Sequence, residues 1–468
     1  MSGEPRHASD SAGRSFPDPR VPVPPEPAPL QVLQGYFQRF WSGLGAGGQS
    51  DFLARWNTLV LPLVEDDPQG SPEFRAVTFL YREEADGPGS GAPADAVILS
   101  ANALVDHRNP AVTEFARVTG VIAAREGLWA LTLRMPQDWE ASYRITASPV
   151  GLPVPWRATR DRRTVRRAAD AGSRDPRNPH LGAAMDGTPT SVLRLPGAPA
   201  APWLAAPTPG HSHPPTDLQE LWVRDTLAGR LRRVWLYVPP VAAGGNRRLP
   251  LILLHDGQVW VRYQNLPATL DAAVSCGMLP PVCVALIDSA DVETRSRELS
   301  GPVGTVDFLA RDLLPILRGT MPVSQRAEDT VVSGASYGGL AALWQVARYP
   351  RLVGKALAQS PSLWRYDLAD FLLPVKDRVR IRMQAGRYES TVHQPAAVLA
   401  QVLEAAGADV GFRSITGGHD WAWWSPWLIR GLAEVLQDGT RPRSEGGGPC
   451  GPTYGAGPGW WDRPVTAG

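Results

Sequence analysis

A serine between small residues is the part of the sequence best suited to chemistry. It lies in the segment GASYG, residues 334–338, which is a Gly-x-Ser-x-Gly motif. A β-branched run at 330–332 precedes the motif, and an apolar, Ala-rich segment that ends near Arg348 follows it. Glycines two positions before and after the serine allow a strand and a helix to pass closely on either side of a sharp turn. The motif therefore predicts a strand-turn-helix elbow that exposes Ser336 as a nucleophile for ester chemistry.

The base that such a serine requires is expected among the histidines that follow it. In hydrolases with this elbow the chain order is serine, acid, histidine, and only His393 and His419 lie after Ser336. His393 begins a helical segment, whereas His419 follows a strand that ends at Ile415 and a Gly-Gly turn. A loop after a late strand can bring an imidazole onto the serine, so we predict His419 as the base.

The carboxylate that would orient His419 is less well determined by the sequence. The loop after a predicted strand at 379–383 reads QAGRYES and offers Glu389. Asp420 is the neighbour of the histidine but would point away from it in most loop geometries. A Ser/His pair without a carboxylate is a further alternative. Glu389 is the candidate acid, and the alternatives stay open.

An ester hydrolase also needs backbone N–H groups that stabilise the oxyanion of its tetrahedral intermediate. One donor is expected from Tyr337, the residue after the nucleophile, and another from the loop after an early strand. That loop reads HDGQVW, which makes Gly257 and Gln258 the candidates. The alternative is that the Asp-Gly pair in this loop forms an ordinary turn.

Two domains would position these residues. Apolar runs that alternate with helical segments over 206–440 predict a mostly parallel sheet with helices on both faces, which is the α/β-hydrolase architecture. Residues 30–205 carry two helical segments and then strands at 75–82, 96–102, 118–123, 128–135 and 142–147, typical of a smaller, immunoglobulin-like β-sandwich. A Pro/Ala-rich linker at 198–215 marks the boundary. Residues 1–29 and 441–468 are rich in Pro and Gly and are predicted to be disordered tails.

Composition narrows the function classes. The 468 residues carry a net charge of +1, which argues against a general nucleic-acid-binding role. No apolar run of signal-peptide or membrane-span length occurs, so we expect neither export nor a membrane partner. Three scattered cysteines favour a reducing cytoplasm and form no metal-ligand cluster, so no metal site is expected.

Several long stretches resemble one family, the cytoplasmic ferric enterochelin (enterobactin) esterases, over roughly residues 30–438. In the first half these are VTFLYR, LWALTLRMPQDWEASYRI and DPRNP. In the second half they are HDGQVW, RSREL, GASYGGL, SPSLW and GGHDWAWW. The resemblance implies hydrolysis of a tricatecholate trilactone siderophore after import. Fe(III) would enter as part of that substrate, and no separate cofactor is expected.

The resemblance also implies roles for individual residues. It supports Ser336 and His419 and places Glu389 where the family has its loop acid. It sets three residues of the RSREL segment near the substrate, namely Arg295, Arg297 and Glu298. Indole faces could stack on the aromatic, anionic substrate, and the candidates are Trp260, Trp364 and Trp421. The alternative for each tryptophan is core packing. The oligomeric state is not predicted.

Two other functions compete with a siderophore esterase. One is a general carboxylesterase or acyltransferase of the esterase D type that acts on uncharged esters. The other is a non-catalytic ligand-binding protein on a hydrolase scaffold. The Ser336 and His419 pairing disfavours the second, and the amino-terminal domain disfavours the first, since a simple esterase does not need it.

Overall fold

The computed structural model describes residues 16–21, 23, 25–83, 93–106, 108–205, 218–239 and 248–437. They form two compact units. Unit 1 contains the described residues of 16–28, 181–189 and 203–437, and unit 2 contains those of 29–180 and 190–202.

Unit 2 is built mainly from antiparallel strands in two sheets. Its strands are β1 (Gln31–Val32), β2 (Leu63–Asp66), β3 (Phe74–Arg82), β4 (Ala94–Ala101), β5 (Ala116–Arg117), β6 (Leu128–Pro136), β7 (Glu140–Pro149) and β9 (Pro189–Arg194). One sheet has the order β1–β6–β3–β2 with β5 on β6, and the other includes β4–β7–β9. Phe79 of β3 packs edge-on against Tyr143 of β7 with ring centroids 5.1 Å apart, so side chains of the two sheets meet.

Four helices accompany these strands: α1 (Tyr36–Gly43), α2 (Gly45–Ala54), α3 (Val121–Arg125) and α4 (Arg162–Ala169). The predicted strand at 118–123 is wrong, because helix α3 occupies its second half and residues 118–120 form no strand. Gly120 has φ 118°, a conformation that L side chains rarely adopt, and the chain turns there into the helix.

Unit 1 contains an eight-stranded sheet with the order β10–β11–β13–β12–β14–β15–β16–β17. The strands are β10 (Gln219–Asp225), β11 (Arg230–Tyr237), β12 (Leu251–Leu254), β13 (Cys283–Ile287), β14 (Thr330–Ala335), β15 (Lys355–Gln359), β16 (Arg380–Gly386) and β17 (Asp409–Ile415). The six strands from β12 to β17 are parallel. Strand β11 runs antiparallel to its neighbour β13, and β10 pairs antiparallel with β11. The prediction of a mostly parallel sheet is confirmed, and the arrangement is α/β-hydrolase-like.

Helices connect these parallel strands. They are α5 (Gly257–Arg262), α6 (Leu266–Ser275), α7 (Val292–Leu299), α8 (Thr305–Phe308), α9 (Leu314–Thr320), α10 (Tyr337–Arg348), α11 (Ala369–Leu372), α12 (His393–Ala405) and α13 (Trp421–Leu436). Strands β12 and β13 are buried along their whole length, as expected for apolar runs covered on both faces. The carboxyl ends of the parallel strands share one edge of the sheet, and the loops that leave it carry the candidate site.

The units differ from the predicted domains in two places. Strand β8 (Leu181–Ala183) lies in a segment that groups with unit 1, where Gln264 donates a hydrogen bond to the carbonyl of Ala183 at 3.0 Å. The predicted tail at 1–29 also groups with unit 1 from its first described residue. Phe16 is buried, with its ring 5.7 Å from that of Trp344 and 6.0 Å from that of Phe371. The N–H of Arg20 also donates to the carbonyl of Arg365 at 2.8 Å, so the described start of this segment contacts unit 1, and the boundary of the predicted tail stays a prediction. Residues 1–15 and 441–468, and most of the predicted linker, lie outside the described residues.

Among the described helices, none combines the length and the apolar character that a membrane span requires. The same part of the chain contains no group of three or more His, Cys, Asp or Glu side chains placed to hold a metal ion.

Candidate active site

Ser336 occupies a strained turn between β14 and α10. Its φ and ψ are 61° and −119°, outside the regions that non-glycine residues favour. The strand and the helix approach each other so closely that glycine is needed in the motif, because a Cβ on Gly334 would lie 2.7 Å from the carbonyl carbon of Gly338. The N–H of Ser336 donates to the carbonyl of Gln359 at 2.9 Å, which ties the turn to the end of β15. The side chain stays partly exposed at the carboxyl edge of the sheet.

His419 and Glu389 form a direct hydrogen bond at the same edge. The Nδ1 atom of His419 lies 2.5 Å from Oε2 of Glu389. The carboxylate is only 2% exposed, and its other oxygen accepts from Ser360 Oγ and from the N–H of Gly386, both at 2.7 Å. Glu389 thus takes part in three hydrogen bonds within the protein. The side chain of His419 is 39% exposed, so this end of the pair is accessible to solvent.

Asp420, the other acid considered, has a different partner. It precedes helix α13, and its Oδ1 accepts from the N–H of Ala422 at 2.9 Å, which is an N-cap interaction. Of the two candidate acids, the structure places Glu389 on the imidazole and Asp420 on the helix.

Trp424 links the histidine to the elbow. Its ring centroid is 4.7 Å from that of His419 in an edge-on contact, and its Nε1 donates to Ser360 Oγ at 2.8 Å. The same indole belongs to a buried cluster that includes Ala335, the residue before the nucleophile. The His419 imidazole and the residue that precedes Ser336 therefore pack in the same region, around the indole of Trp424.

The HDGQVW loop lies against the start of α10. A Cβ on Gly338 would come within 3.2 Å of the His255 Cβ, so the loop approaches because that side chain is missing. Gly257 is packed just as closely. A Cβ built on this residue would lie 2.4 Å from the carbonyl carbon of Leu286. Both Tyr337 and Gly257 begin helices, where the first N–H groups have no acceptor within the helix. The predicted oxyanion donors of Tyr337, Gly257 and Gln258 thus belong to two adjacent helix starts.

Arg295 holds this loop to the elbow. Its Nε and Nη2 each donate to one oxygen of Asp256 at 2.7 Å, and Nη2 also reaches the Ala335 carbonyl at 3.3 Å. Burial by itself lowers the pKa of Arg295, but the charge of Asp256, the hydrogen bonds to Asp256 and the charge of Tyr337 together outweigh burial, and the pKa is raised. Burial also lowers the pKa of the neighbouring His255 to about 4, so that imidazole is neutral near pH 7. The guanidinium of Arg295 thus lies in a buried ion pair within the protein, and its predicted role in binding substrate stays a prediction.

The other two residues of the RSREL segment have contrasting environments. Glu298 is largely buried and pairs with Arg230 and Arg232 at 2.7 and 2.5 Å. Glu298 thus has its ion-pair partners within the protein, and its predicted role in binding substrate stays a prediction. Arg297 is 62% exposed; its Nη2 lies 3.7 Å from Glu298 and donates a long hydrogen bond to Thr294 Oγ1 at 3.4 Å. Of the three residues, Arg297 presents its charge to solvent.

The three tryptophans that were predicted to bind substrate differ in their exposure to solvent. Trp260 is 1% exposed and lies beneath Trp421, with ring centroids 4.9 Å apart, so it supports the site from the core. Trp421 and Trp364 are partly exposed. Trp364 lies 6.1 Å from the ring of Tyr337. These two indoles remain candidates for stacking on a ligand.

Comparison with known proteins identifies the family of this chain. Residues 226–435 match the family named Esterase, and residues 76–204 match the family described as "Enterochelin esterase, N-terminal". The chain is 30% identical to the iron(III) salmochelin esterase of Escherichia coli O6:H1, over 82% of this chain and 92% of that protein. It is 31% identical to the iron(III) enterobactin esterase of Dickeya dadantii, over 80% and 90% of the two chains. The chain belongs to the enterochelin esterase family.

Solved structures of relatives have the same fold. The ferric enterobactin esterase of Salmonella typhimurium aligns with a TM-score of 0.68 and 26% identity, over 82% of this esterase and 98% of that chain. The Shigella flexneri enterobactin esterase, crystallised in the presence of enterobactin, aligns with a TM-score of 0.65 and 25% identity, over 82% and 97%.

Sequence reasoning did not single out Ser360, which donates to Glu389 and accepts from Trp424. It has φ 42°, a further strained position at the end of a strand. The signal was present in the SPSLW segment, where the serine follows β15 just as Ser336 follows β14.

Replacing Arg295 with methionine is expected to lower the free energy of unfolding of this esterase by about 3–5 kcal/mol. The change leaves the Asp256 carboxylate, 1% exposed, without its cation in a buried position. Urea denaturation of the two proteins would measure the difference. Arg297→Ala on the same helix is the matched control and should change stability by less than about 0.5 kcal/mol. Equal, small effects of both substitutions would contradict a clamping role for Arg295.

Proposed function

We propose that this esterase hydrolyses the ester bonds of a ferric tricatecholate trilactone siderophore and so releases its iron. The observation that carries the proposal is the match of residues 76–204 to the enterochelin esterase amino-terminal family beside an esterase domain in one chain. Relatives of similar length are named for iron(III) enterobactin and salmochelin. Fe(III) enters as part of the substrate, and no cofactor is assigned to the protein.

In the proposed mechanism Ser336 Oγ attacks a lactone carbonyl while His419 Nε2 takes the hydroxyl proton. Because Glu389 holds Nδ1 of the imidazole, Nε2 is the nitrogen that accepts the serine proton in this mechanism. The N–H groups of Tyr337 and of the HDGQVW loop stabilise the oxyanion. His419 then returns the proton to the leaving serine hydroxyl of the siderophore. Water, deprotonated by the same imidazole, cleaves the acyl-enzyme.

The test of this function is a product assay. Ferric trilactone, iron-free trilactone and p-nitrophenyl acetate are each incubated with the enzyme, and products are identified by mass spectrometry. We expect linear dihydroxybenzoylserine esters from the trilactone, with a higher kcat/KM than for the neutral ester. Turnover of the neutral ester alone would indicate an esterase D type enzyme, and no turnover of any ester would indicate a binding protein.

Removing the Arg297 charge is expected to raise KM for the ferric trilactone several-fold. The guanidinium is exposed on α7, next to the helix turn that carries the buried Arg295 clamp, and the ferric tricatecholate is strongly anionic. Steady-state kinetics of Arg297→Ala on the trilactone and on p-nitrophenyl acetate measure the effect. Equal changes on both substrates would remove the anion-recognition role.

We also propose that the two sheets of unit 2 form an immunoglobulin-like sandwich and that hydrolysis takes place in the cytoplasm. The contact of Phe79 with Tyr143 supports face-to-face packing of the sheets. Free thiols at Cys276 and Cys283 are compatible with a reducing compartment.

A further inference from the structure

The eight-stranded sheet of unit 1 ends at strand β10, whose outer side pairs with no strand in the part of the chain that the structure describes. Such an edge presents N–H and C=O groups with which a further strand can pair, and proteins block it with bulges, prolines or charged side chains. Strand β10 reads QELWVRD, contains no proline, and pairs with β11 over all seven residues without a register shift. Whether this edge can take a partner therefore depends on what its charges would meet.

One face of β10 is held against the core. Val223 is 2% exposed within the buried cluster of unit 1, and Leu221 packs against the same cluster. The turn after the strand is fixed as well, because the hydroxyl of Thr226 donates to Asp312 Oδ1 at 2.8 Å. The strand is therefore ordered before any partner binds, so pairing would cost little further conformational entropy.

The other face of β10 is exposed and carries two charges. Side chains alternate along a strand, so Glu220, Trp222 and Arg224 share this face, and all three are exposed, Trp222 by 54%. Neither Glu220 nor Arg224 forms an ion pair with the described residues; Glu220 Oε1 accepts from Trp222 Nε1 at 2.7 Å. Four residues of strand separate the two charged residues by about 13 Å, too far to pair with each other. Arg233, opposite Trp222 on β11, is already bound by Asp288 at 2.7 Å.

The sequence of β10 is complementary to itself. When two copies of the strand lie antiparallel, the register that joins all seven residues is centred on Trp222. It places Glu220 opposite Arg224 of the second copy and Trp222 opposite Trp222. On the core side, Leu221 lies opposite Val223. Opposite charges and paired aromatic rings are the cross-strand contacts that stabilise antiparallel strands.

Other registers lose this match. A shift of two residues in either direction leaves Glu220 and Arg224 without an opposite charge across the strands. A shift of four residues places Glu220 opposite Glu220 or Arg224 opposite Arg224, which is destabilising. The charges on this edge therefore oppose most partners and registers and favour one.

We propose that β10 is the interface of a homodimer, in which two copies of this chain join their edge strands antiparallel about a two-fold axis at Trp222. Each copy contributes the same surface, as a two-fold contact requires. Two Glu220–Arg224 ion pairs, one on each side of the axis, set the register. The dimer does not depend on which ester the enzyme cleaves, so its test needs no substrate.

The test reverses the charges one at a time. Glu220→Arg places an arginine opposite Arg224 of the second copy, and Arg224→Glu places a glutamate opposite Glu220. Because the two-fold axis counts each change twice, either variant is expected to raise the Kd of the dimer at least about tenfold. Sedimentation velocity over a series of protein concentrations measures the Kd, and circular dichroism verifies that each variant is folded.

Two combinations should restore the dimer. The double variant Glu220→Arg/Arg224→Glu again has opposite charges in both pairs and is expected to dimerise like the parent protein. An equimolar mixture of the two single variants should form a mixed dimer, because every arginine of one chain then faces a glutamate of the other. A double variant or a mixture that stays monomeric would overturn the proposed register.

Glu404→Arg is the matched control. Glu404 is exposed on helix α12 of unit 1, and its reversal changes the net charge by the same amount without touching β10. The Kd should change less than about twofold. Single reversals in β10 that behave like this control would overturn the interface. So would a parent protein that stays monomeric up to about 100 μM, since no specific dimer of useful affinity would then exist.

Discussion

Ser336→Ala is expected to lower kcat/KM for the ferric trilactone by at least about 1000-fold. The substitution removes the only atom that can form the acyl-enzyme in the proposed mechanism, and a methyl group fills the space of the hydroxymethyl. Because Ser336 has φ 61°, alanine has no greater conformational freedom there than serine, so the elbow should keep its geometry. Product formation followed by mass spectrometry, with circular dichroism to verify folding, measures the loss.

Ser362→Ala provides the matched control for the nucleophile. Its Oγ lies 3.5 Å from Ser336 Oγ, so it is the nearby hydroxyl that could be mistaken for the reactive one. We expect its removal to cost less than about tenfold. A fluorophosphonate probe should label the Ser362→Ala protein and leave Ser336→Ala unlabelled. Near-normal turnover of trilactone by Ser336→Ala would contradict the mechanism.

Glu389→Gln is expected to reduce kcat by about 10³–10⁴-fold with little change in the fold. The glutamate accepts hydrogen bonds from Ser360, from the Gly386 N–H and from His419 Nδ1. A glutamine can satisfy the first two through its carbonyl oxygen. It then turns its amide NH₂ toward Nδ1, which favours the imidazole tautomer with the proton on Nε2. That tautomer cannot accept the serine proton.

Asp420→Asn separates the two candidate acids. Asparagine caps a helix about as well as aspartate, so the interaction with Ala422 and the stability of α13 should persist. We expect kcat to fall by less than about tenfold. A larger loss in Asp420→Asn than in Glu389→Gln, measured under the same assay conditions, would exclude Glu389 as the orienting acid.

Much of the secondary structure of unit 1 was predictable because it is determined by residues that are neighbours in the sequence. Buried parallel strands are short, continuous apolar runs, as in β12 and β13, whose residues are all buried. Unit 2 was less regular. Helix α3 interrupts a run that resembles a strand, because Gly120 changes the chain direction in a way that periodicity does not encode.

By itself, the sequence determined the nucleophilic elbow, the order of the candidate triad and the parallel sheet that carries them. These depend on neighbouring residues: glycines beside Ser336, a turn before His419, and apolar runs between them. Only the tertiary structure decided what each charged side chain faces. Arg295 and Arg297 are two positions apart on one helix, yet one is buried against Asp256 and the other is exposed. Asp420 is adjacent to His419 in the sequence and Glu389 lies 30 residues before it, yet Glu389, held by Ser360, is the one whose carboxylate contacts the imidazole. Burial and partners arise from segments far apart in the chain, which is why spacing alone could not assign them.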